Sequence, residues 1–290
     1  TSGACNIAIG INALGATTVG TNNIALGLGA LGSATTSADN AGNIAIGCMA
    51  MGTGVVTGSM NIAIGCSAGI NLTSGVRNIF MGRLSGTGVV TGHYNIAMGE
   101  SSYQAGTSGC NNIALGQGAM ATAAVTGINN IALGTAAMDA LTSGICNVAI
   151  GINALGASTS GCLNIAIGDR AIGCCTATGT HNVAIGALAL DVLTTGLCNV
   201  ALGTQALGGV TTGCHNIAIG DLAGATNTGN LKVINIGAGT DGTVACVTYL
   251  GGVCISATQF TATSDCRSKK NIKDLPYGLS FINLLRPVSY

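Results

Sequence analysis

Charge is what this sequence has least of: nine Lys and Arg and nine Asp and Glu in 290 residues, with no net charge. Ordinary domains carry about a quarter charged residues, so the chain departs strongly from average globular composition. Arg77, Arg83 and Arg170 are the basic residues of the first 230. That is too few to neutralise a phosphate backbone, so nucleic acid is excluded as a partner of this part. Long apolar runs are missing as well. Gly, Asn or Thr breaks each one short of the roughly 20 residues of a membrane-spanning helix, so no membrane insertion is expected despite a mean hydropathy of +0.59. Carboxylates are never paired. Asp139, Asp169, Asp191 and Asp221 read as isolated solvated corners, which removes the acid–base pair of a glycosidase or lyase solenoid. Cys-x-x-Cys spacing is absent, so neither a metal nor a cofactor is expected. With no initiator Met and no basic, apolar leader, the chain reads as a fragment lacking its N-terminal cap or anchor.

What is present is apolar and periodic. Apolar residues make up 48% of the chain, which excludes disorder by composition. The pattern Asn, Ile or Val, Ala, Ile/Leu/Met, Gly occurs thirteen times, beginning at Asn6, Asn23, Asn43, Asn61, Asn78, Asn95, Asn112, Asn130, Asn147, Asn164, Asn182, Asn199 and Asn216. The interval is 17 or 18 residues, with one of 20 before Asn43. Large residues alternate around the central Ala with period two, which predicts a short strand. Gly follows each copy, and in twelve of the thirteen a second Gly lies three residues before the Asn, marking two corners. A second short segment usually carries Ala then Leu or Met, as in Ala13-Leu14, Ala119-Met120 and Ala206-Leu207, and reads as a second strand. The fold class is therefore all-β: a parallel β-solenoid or β-roll of about 13 coils over residues 1–225. Ile and Leu are expected to fill its inside, with the Asn side chains forming amide ladders at a corner. The central Ala, present in twelve of thirteen copies, is then expected to form a flat outer strip buried between three rolls of a homotrimer.

The Asn-Ile-Ala-Ile-Gly-x-x-Ala unit resembles the head repeat of trimeric autotransporter adhesins (YadA-like β-rolls), which also occurs in viral tail fibres. Its coil here is longer than the adhesin unit. Residues 263–290 carry a second resemblance. Ser264, Asp265, Arg267, Lys269, Asn271 and Ile272, followed by Leu284, Arg286-Pro287-Val288 and Tyr290, resemble the start of the C-terminal intramolecular chaperone of endosialidases and phage tail spikes. This family cuts itself with a Ser-Lys dyad, so the resemblance implies Ser264 as nucleophile and Lys269 as base, with Asp265 and Arg267 in the motif. A Ser hydroxyl needs such a base, and Lys serves only when burial lowers its pKa. The stretch from Leu275 to Leu285 predicts a short helix ending before Pro287. The chain stops soon after, at Tyr290, so cleavage by this portion alone is not expected. Between roll and chaperone, residues 226–262 read as a β-neck, with strands over Asn230–Gly237 and Val244–Ile255 and with Tyr249 and Phe260 along the trimer axis.

Two features stand apart from the repeat. Thirteen Cys fill mostly repeat-equivalent slots and read as small buried residues with free thiols, although stacking would permit a Cys48–Cys66 bridge. Coils five and six concentrate Arg77, Phe80, Arg83, His93, Tyr94, Tyr103 and Glu100. That patch reads either as a contact for a glycan or receptor, or as adjusted trimer contacts with Phe80 filling a gap. These readings together describe the distal part of a trimeric, receptor-binding tail fibre: a virion protein assembled in host cytoplasm, binding a host cell-surface receptor or glycan, with no enzymology beyond one self-cleavage. The alternatives are the head of an adhesin on a bacterial surface and an ice-binding solenoid. The adjacent pairs Thr17-Thr18, Thr194-Thr195 and Thr211-Thr212 speak against the last, because a flat face needs alternate residues of a strand.

Overall fold

A three-residue apolar strand closed by a glycine has one way to satisfy its backbone, which is to pair with the same strand of the neighbouring copies. The computed structural model describes residues 3–16, 19–33, 40–226, 228–240 and 248–250, and there this is what the chain does. Fifteen strands among the described residues form one parallel sheet in strict sequence order, from β1 (Ile7–Ile9) and β2 (Ile24–Leu26) to β13 (Ile217–Ile219), β14 (Ile234–Ile236) and β15 (Thr248–Leu250). Register is in step: Ile7, Ala8 and Ile9 lie opposite Ile24, Ala25 and Leu26, and Val200, Ala201 and Leu202 opposite Ile217, Ala218 and Ile219. The fold is an all-β parallel solenoid. Residues beyond 225 that were expected to leave the repeat continue its ladder, with β14 paired to β13 and β15 to β14. The chain divides into two units, Thr1–Val253 and Cys254–Tyr290. The second lies outside the described residues, and with it the helix expected before Pro287 and the placement of Phe260; so does the Tyr249 side chain.

Inside and outside are the reverse of the sequence expectation. The strand-central Ala is the buried residue: Ala25, Ala45, Ala63, Ala97, Ala132 and Ala184 are fully enclosed. Its Ile, Leu, Val and Met neighbours point outward and stay partly accessible, Ile150, Ile185 and Ile219 at 37 to 40%. The second segment explains why. It is not a strand but a run of turns in which Leu14, Leu31, Met51, Met120, Leu155 and Leu190 adopt left-handed backbone, with φ between 46 and 53°. These side chains turn inward and, with Ala30, Ala50 and Ala189, occupy most of the interior. Only a methyl group fits opposite them. A left-handed L-residue costs on the order of 1 kcal/mol. Here each such residue is held by a bond to the next coil, as when Leu31 N–H donates to Ala50 O at 3.0 Å and Leu155 N–H to Ala171 O at 3.0 Å.

The two glycines of a coil have different reasons. Gly10, Gly65 and Gly168 sit at φ near 130°, which an L side chain rarely adopts. Gly109 and Gly213 have ordinary φ, but a Cβ on either would lie 2.6 Å from the carbonyl oxygen of the next coil, at Gly127 and Asn230. Those carbonyls are where the asparagine ladder closes. Asn147 Nδ2 donates to Asn130 Oδ1 at 3.0 Å and to Gly161 O at 2.7 Å. Asn147 Oδ1 in turn accepts the Asn164 N–H at 3.0 Å. Fully buried, the ladder runs from coil to coil until Val233 takes the Asn slot and donates its N–H to Asn216 Oδ1.

Candidate functional site

Coils five and six carry the cluster singled out by composition, and the fold divides it in three. Phe80 occupies the Ala slot of β5 (Ile79–Met81) and is fully buried, not outward. Room for its ring comes from the neighbouring turns, where the Leu/Met slot holds Gly69 and Gly86. A Cβ on Gly69 would lie 2.8 Å from Phe80 Cδ2, and one on Gly86 would lie 2.6 Å from its Cγ. Tyr103 fills the Leu slot of the following coil and is also buried; its hydroxyl accepts from Asn112 Nδ2 at 3.0 Å. Burial pushes that hydroxyl above its ordinary pKa, against the hydrogen bond from Asn112, which pulls it down. Neither ring is available to a ligand.

Three of the remaining residues share one corner: Arg77 and Tyr94 stand just before a ladder Asn, and His93 one residue earlier. Arg77 Nη1 donates to Tyr94 Oη at 2.8 Å, and the guanidinium lies 5.6 Å from the Tyr94 ring centroid. Tyr94 also meets His93 edge to face, at 6.4 Å between centroids. His93 Nδ1 accepts the Val76 N–H at 3.0 Å, which fixes the ring and leaves Nε2 to carry the proton of the neutral form. Arg77 and Tyr94 stand exposed, both in left-handed backbone at φ 56° and 59°. An open groove of about 550 Å³ adjoins them, lined by Thr57, Ser59, Met60, Ser74 and Val76. The corner thus offers a cation, an aromatic face and hydroxyls on rigid backbone, a combination suited to polar contact rather than catalysis.

Arg83 lies at the other end of the strand, paired with Glu100: Nε donates to Oε1 at 3.0 Å and Nη2 reaches the same oxygen. Both side chains are largely exposed, so the pair contributes at most about 1 kcal/mol. Of the isolated carboxylates, Asp169 and Asp221 are solvated as expected, whereas Asp139 and Asp191 are half-buried. Asp139 Oδ1 accepts the Thr122 N–H at 3.1 Å.

Among the described residues no cysteine is buried. Cys5, Cys48, Cys66, Cys146 and Cys174 are exposed and Cys110, Cys162, Cys175, Cys198 and Cys214 half-exposed, all as free thiols. They occupy outward columns, since the interior is already filled by Ala, Leu and Met. Among the described residues no group of three His, Cys, Asp or Glu side chains is placed to hold a metal ion. Ser264, Asp265, Arg267 and Lys269, the residues of the self-cleavage motif, lie outside the described residues.

The most extensive surface is one that composition did not reveal. From β2 to β14 the outer face of the sheet carries two aliphatic residues per coil, with a Met at Met81 and Met98. Parallel sheets are normally covered on both faces. Here one face packs on the turns and the other is open. No protein-family model matches the chain, and no curated protein matches it.

Proposed function

We propose that this chain is the rigid shaft of a trimeric attachment fibre, in which three copies bury their outer sheet faces against one another and present the exposed corners to a receptor. The open aliphatic face carries this reading. At roughly 50 Å² of accessible area per partly exposed side chain, two per coil over fourteen coils amount to on the order of 1,400 Å², well above the ~800 Å² that each partner contributes to a standard interface. A soluble monomer rarely leaves so large an apolar surface uncovered. Three copies, a virion setting and self-cleavage at Ser264 with Lys269 as base rest on the two sequence resemblances. The Arg77, His93 and Tyr94 corner with its hydroxyl-lined groove is the receptor- or glycan-facing element of this reading. The threonine hydroxyls do not favour ice binding: those of Thr73, Thr142 and Thr194 are spent on carbonyls of the next coil, at 2.8, 2.9 and 3.0 Å.

Sedimentation equilibrium of the full chain tests the assembly. A trimer is expected, and Ile165→Lys with Ile217→Lys should convert it to monomers that keep the β circular-dichroism spectrum, since both positions already reach solvent. A wild-type monomer, or a trimer indifferent to the two lysines, would refute the reading.

A further inference from the structure

The corner that carries Arg77 and Tyr94 recurs on every coil, and the residue just before the ladder Asn varies freely there. On coils eleven, twelve and thirteen it is His181, Cys198 and His215. Each is 17 residues from the next, so no local motif in the chain marks them as a set. Stacking makes them neighbours. Cys198 N–H donates to Thr180 O at 3.0 Å and His215 N–H to Leu197 O at 3.0 Å, so each residue lies over its counterpart in the preceding coil. All three adopt the same left-handed backbone, at φ 59°, 57° and 60°, and their Cα–Cβ bonds therefore leave the coil in the same direction. With coils about 4.8 Å apart, the thiol stands midway between two imidazoles whose Cα atoms are roughly 10 Å apart.

The order within this column matters. A short side chain lies between two long ones, so a point above the middle coil comes within reach of all three when the imidazoles lean inward. The groups are also accessible: His181 and His215 are exposed, and Cys198 is a half-exposed free thiol. Cys162 and Cys214, each one place earlier in its coil, donate to the carbonyls of Ser160 and Thr212 at 3.3 and 3.4 Å, whereas Cys198 Sγ has no hydrogen-bond partner among the described residues. His181 Nδ1 lies 3.1 Å from Thr180 Oγ1. Donating there, it leaves the Nε2 lone pair for a cation, with the outer bond that metal-binding imidazoles ordinarily make. As they stand the three side chains do not converge on one point. Convergence takes rotation about Cα–Cβ at solvent-facing positions, a motion of picoseconds to nanoseconds, and no change of backbone.

We infer that His181, Cys198 and His215 together bind a divalent transition-metal ion of the zinc type. Two imidazoles and a thiolate are the nitrogen and sulfur ligands that Zn²⁺ and Co²⁺ take, and they do not suit the oxygen-seeking Mg²⁺ or Ca²⁺. Three protein ligands leave the fourth tetrahedral position to water. On binding, the Cys198 thiol gives up its proton to solvent, and one metal–sulfur and two metal–nitrogen bonds form. The column sets the limits of the site, since Leu163 stacks next to His181 and Lys232 next to His215, and neither is a ligand. An ion held in this way clips three coils together from outside. The inference stands apart from the trimer reading, because all three ligands come from one chain.

The test is a titration of the reduced full chain with CoCl₂, followed by displacement with ZnCl₂. Saturation at one ion per chain is expected, with a thiolate-to-cobalt charge-transfer band and the visible bands of tetrahedral Co²⁺, all removed by Zn²⁺. Cys198→Ser should abolish the charge-transfer band. Cys146→Ser, in the same column but between Asn129 and Leu163, should leave it intact. His181→Ala and His215→Ala should each weaken binding by roughly tenfold or more, since losing a ligand costs at least as much as losing an outer partner, and His93→Ala should change nothing. Every substituted side chain reaches solvent, so the variants should keep the β circular-dichroism spectrum. Zn²⁺ should also slow hydrogen exchange in coils eleven to thirteen and leave coils five and six unaffected. No cobalt–thiolate band, a band that survives Cys198→Ser, or undiminished affinity in either histidine variant would overturn the inference.

Discussion

Replacing Phe80 by Ala restores the residue that occupies this slot in the twelve other repeats, and it should nevertheless be among the most damaging single changes in the roll. On the sequence expectation of an outward centre, Phe80→Ala would be neutral or would improve solubility. With the centre inward the change empties a space that two neighbouring turns have been hollowed to create, since Gly69 and Gly86 stand where most other coils carry Leu or Met. The six ring carbons leave a fully enclosed site whose walls cannot collapse, because each coil is tied to the next by hydrogen bonds on both sides of the cavity, such as Gly69 N–H to Ser85 O at 2.8 Å and Gly86 N–H to Ser102 O at 2.9 Å. Phe-to-Ala changes in such cores cost about 3 to 5 kcal/mol. The compensating variant Phe80→Ala with Gly69→Met and Gly86→Leu rebuilds the ordinary coil, and its new residues face backbone of the same hand that Met51 and Leu31 tolerate at φ 46° and 49°. Much of the loss should return. Stability in solenoids is a sum of local terms, so the assay is hydrogen exchange resolved by coil, alongside urea unfolding. Protection should fall around coils four to six in the single variant and recover in the triple variant. Undiminished protection in Phe80→Ala, or a triple variant worse than the single, would refute the inward placement.

The asparagine ladder and the buried tyrosine give two further tests. Asn147→Ala removes the acceptor of the Asn164 N–H and the donor to Gly161 O, two buried groups at about 1 to 3 kcal/mol each, so thermal unfolding should be visibly lowered; an unchanged melting temperature would mean that water replaces the amide. Tyr103 has a folded-state pKa raised by burial, so the stability it contributes is complete below the unfolded tyrosine value near 10 and is lost as pH rises beyond it. Tyr103→Phe should flatten that alkaline decline, and an identical high-pH profile in both proteins would show that another group governs it.

How much of this was readable in the sequence depends on what a period-two pattern encodes. Alternation in Asn-Ile-Ala-Ile-Gly says that Ile and Ala face opposite ways, and the glycines say where the chain turns; strands, coil length, parallel order and the amide ladder all followed. It does not say which face is the core. Bulk suggested the isoleucines, which holds for a sheet packed on another sheet about 10 Å away. Here the opposing layer is a turn whose Leu and Met are thrown inward by left-handed backbone, a conformation that neither residue signals. A usable sign was present nonetheless. The slot just after the strand-closing glycine varies freely, through Ile11, Leu28, Cys48, Arg83, Glu100 and Gln117, as solvated positions do. Within the thirteen copies the strand centre stays Ala, and its one exception, Phe80, is answered by two glycines in register, Gly69 and Gly86. Size exchanged across a shared space marks a core. The same comparison places the cysteines outside, since Cys48 and Cys66 belong to the variable column.

The inversion also changes what an assembly of such chains must solve. A strip of methyl groups would present the same surface at every height, whereas paired aliphatic columns have contours: Val148, Val183 and Val200 are narrower than the Ile of other coils, and Met81 and Met98 project further. Copies associating through this face match best when equal coils meet. A slip by one coil of 17 or 18 residues still sets aliphatic against aliphatic almost everywhere, so slipped assemblies lie close in free energy to the aligned one. Each slipped pair leaves only one coil uncovered at either end, which is little incentive to correct it. A shaft built this way therefore needs its register set by something that is not repetitive. Within the roll the 20-residue interval before Asn43 breaks the period once, but a single irregularity on the turn side does not discriminate along the sheet face. The non-repeating stretch from Arg267 to Tyr290, with five of the nine basic residues and a resemblance to an intramolecular chaperone, is where such a device would be encoded. If the proposed assembly holds, the scarcity of charge in the roll and its concentration after Ser264 would have one cause: a repetitive apolar face that can associate in many registers, and a segment outside it that selects one.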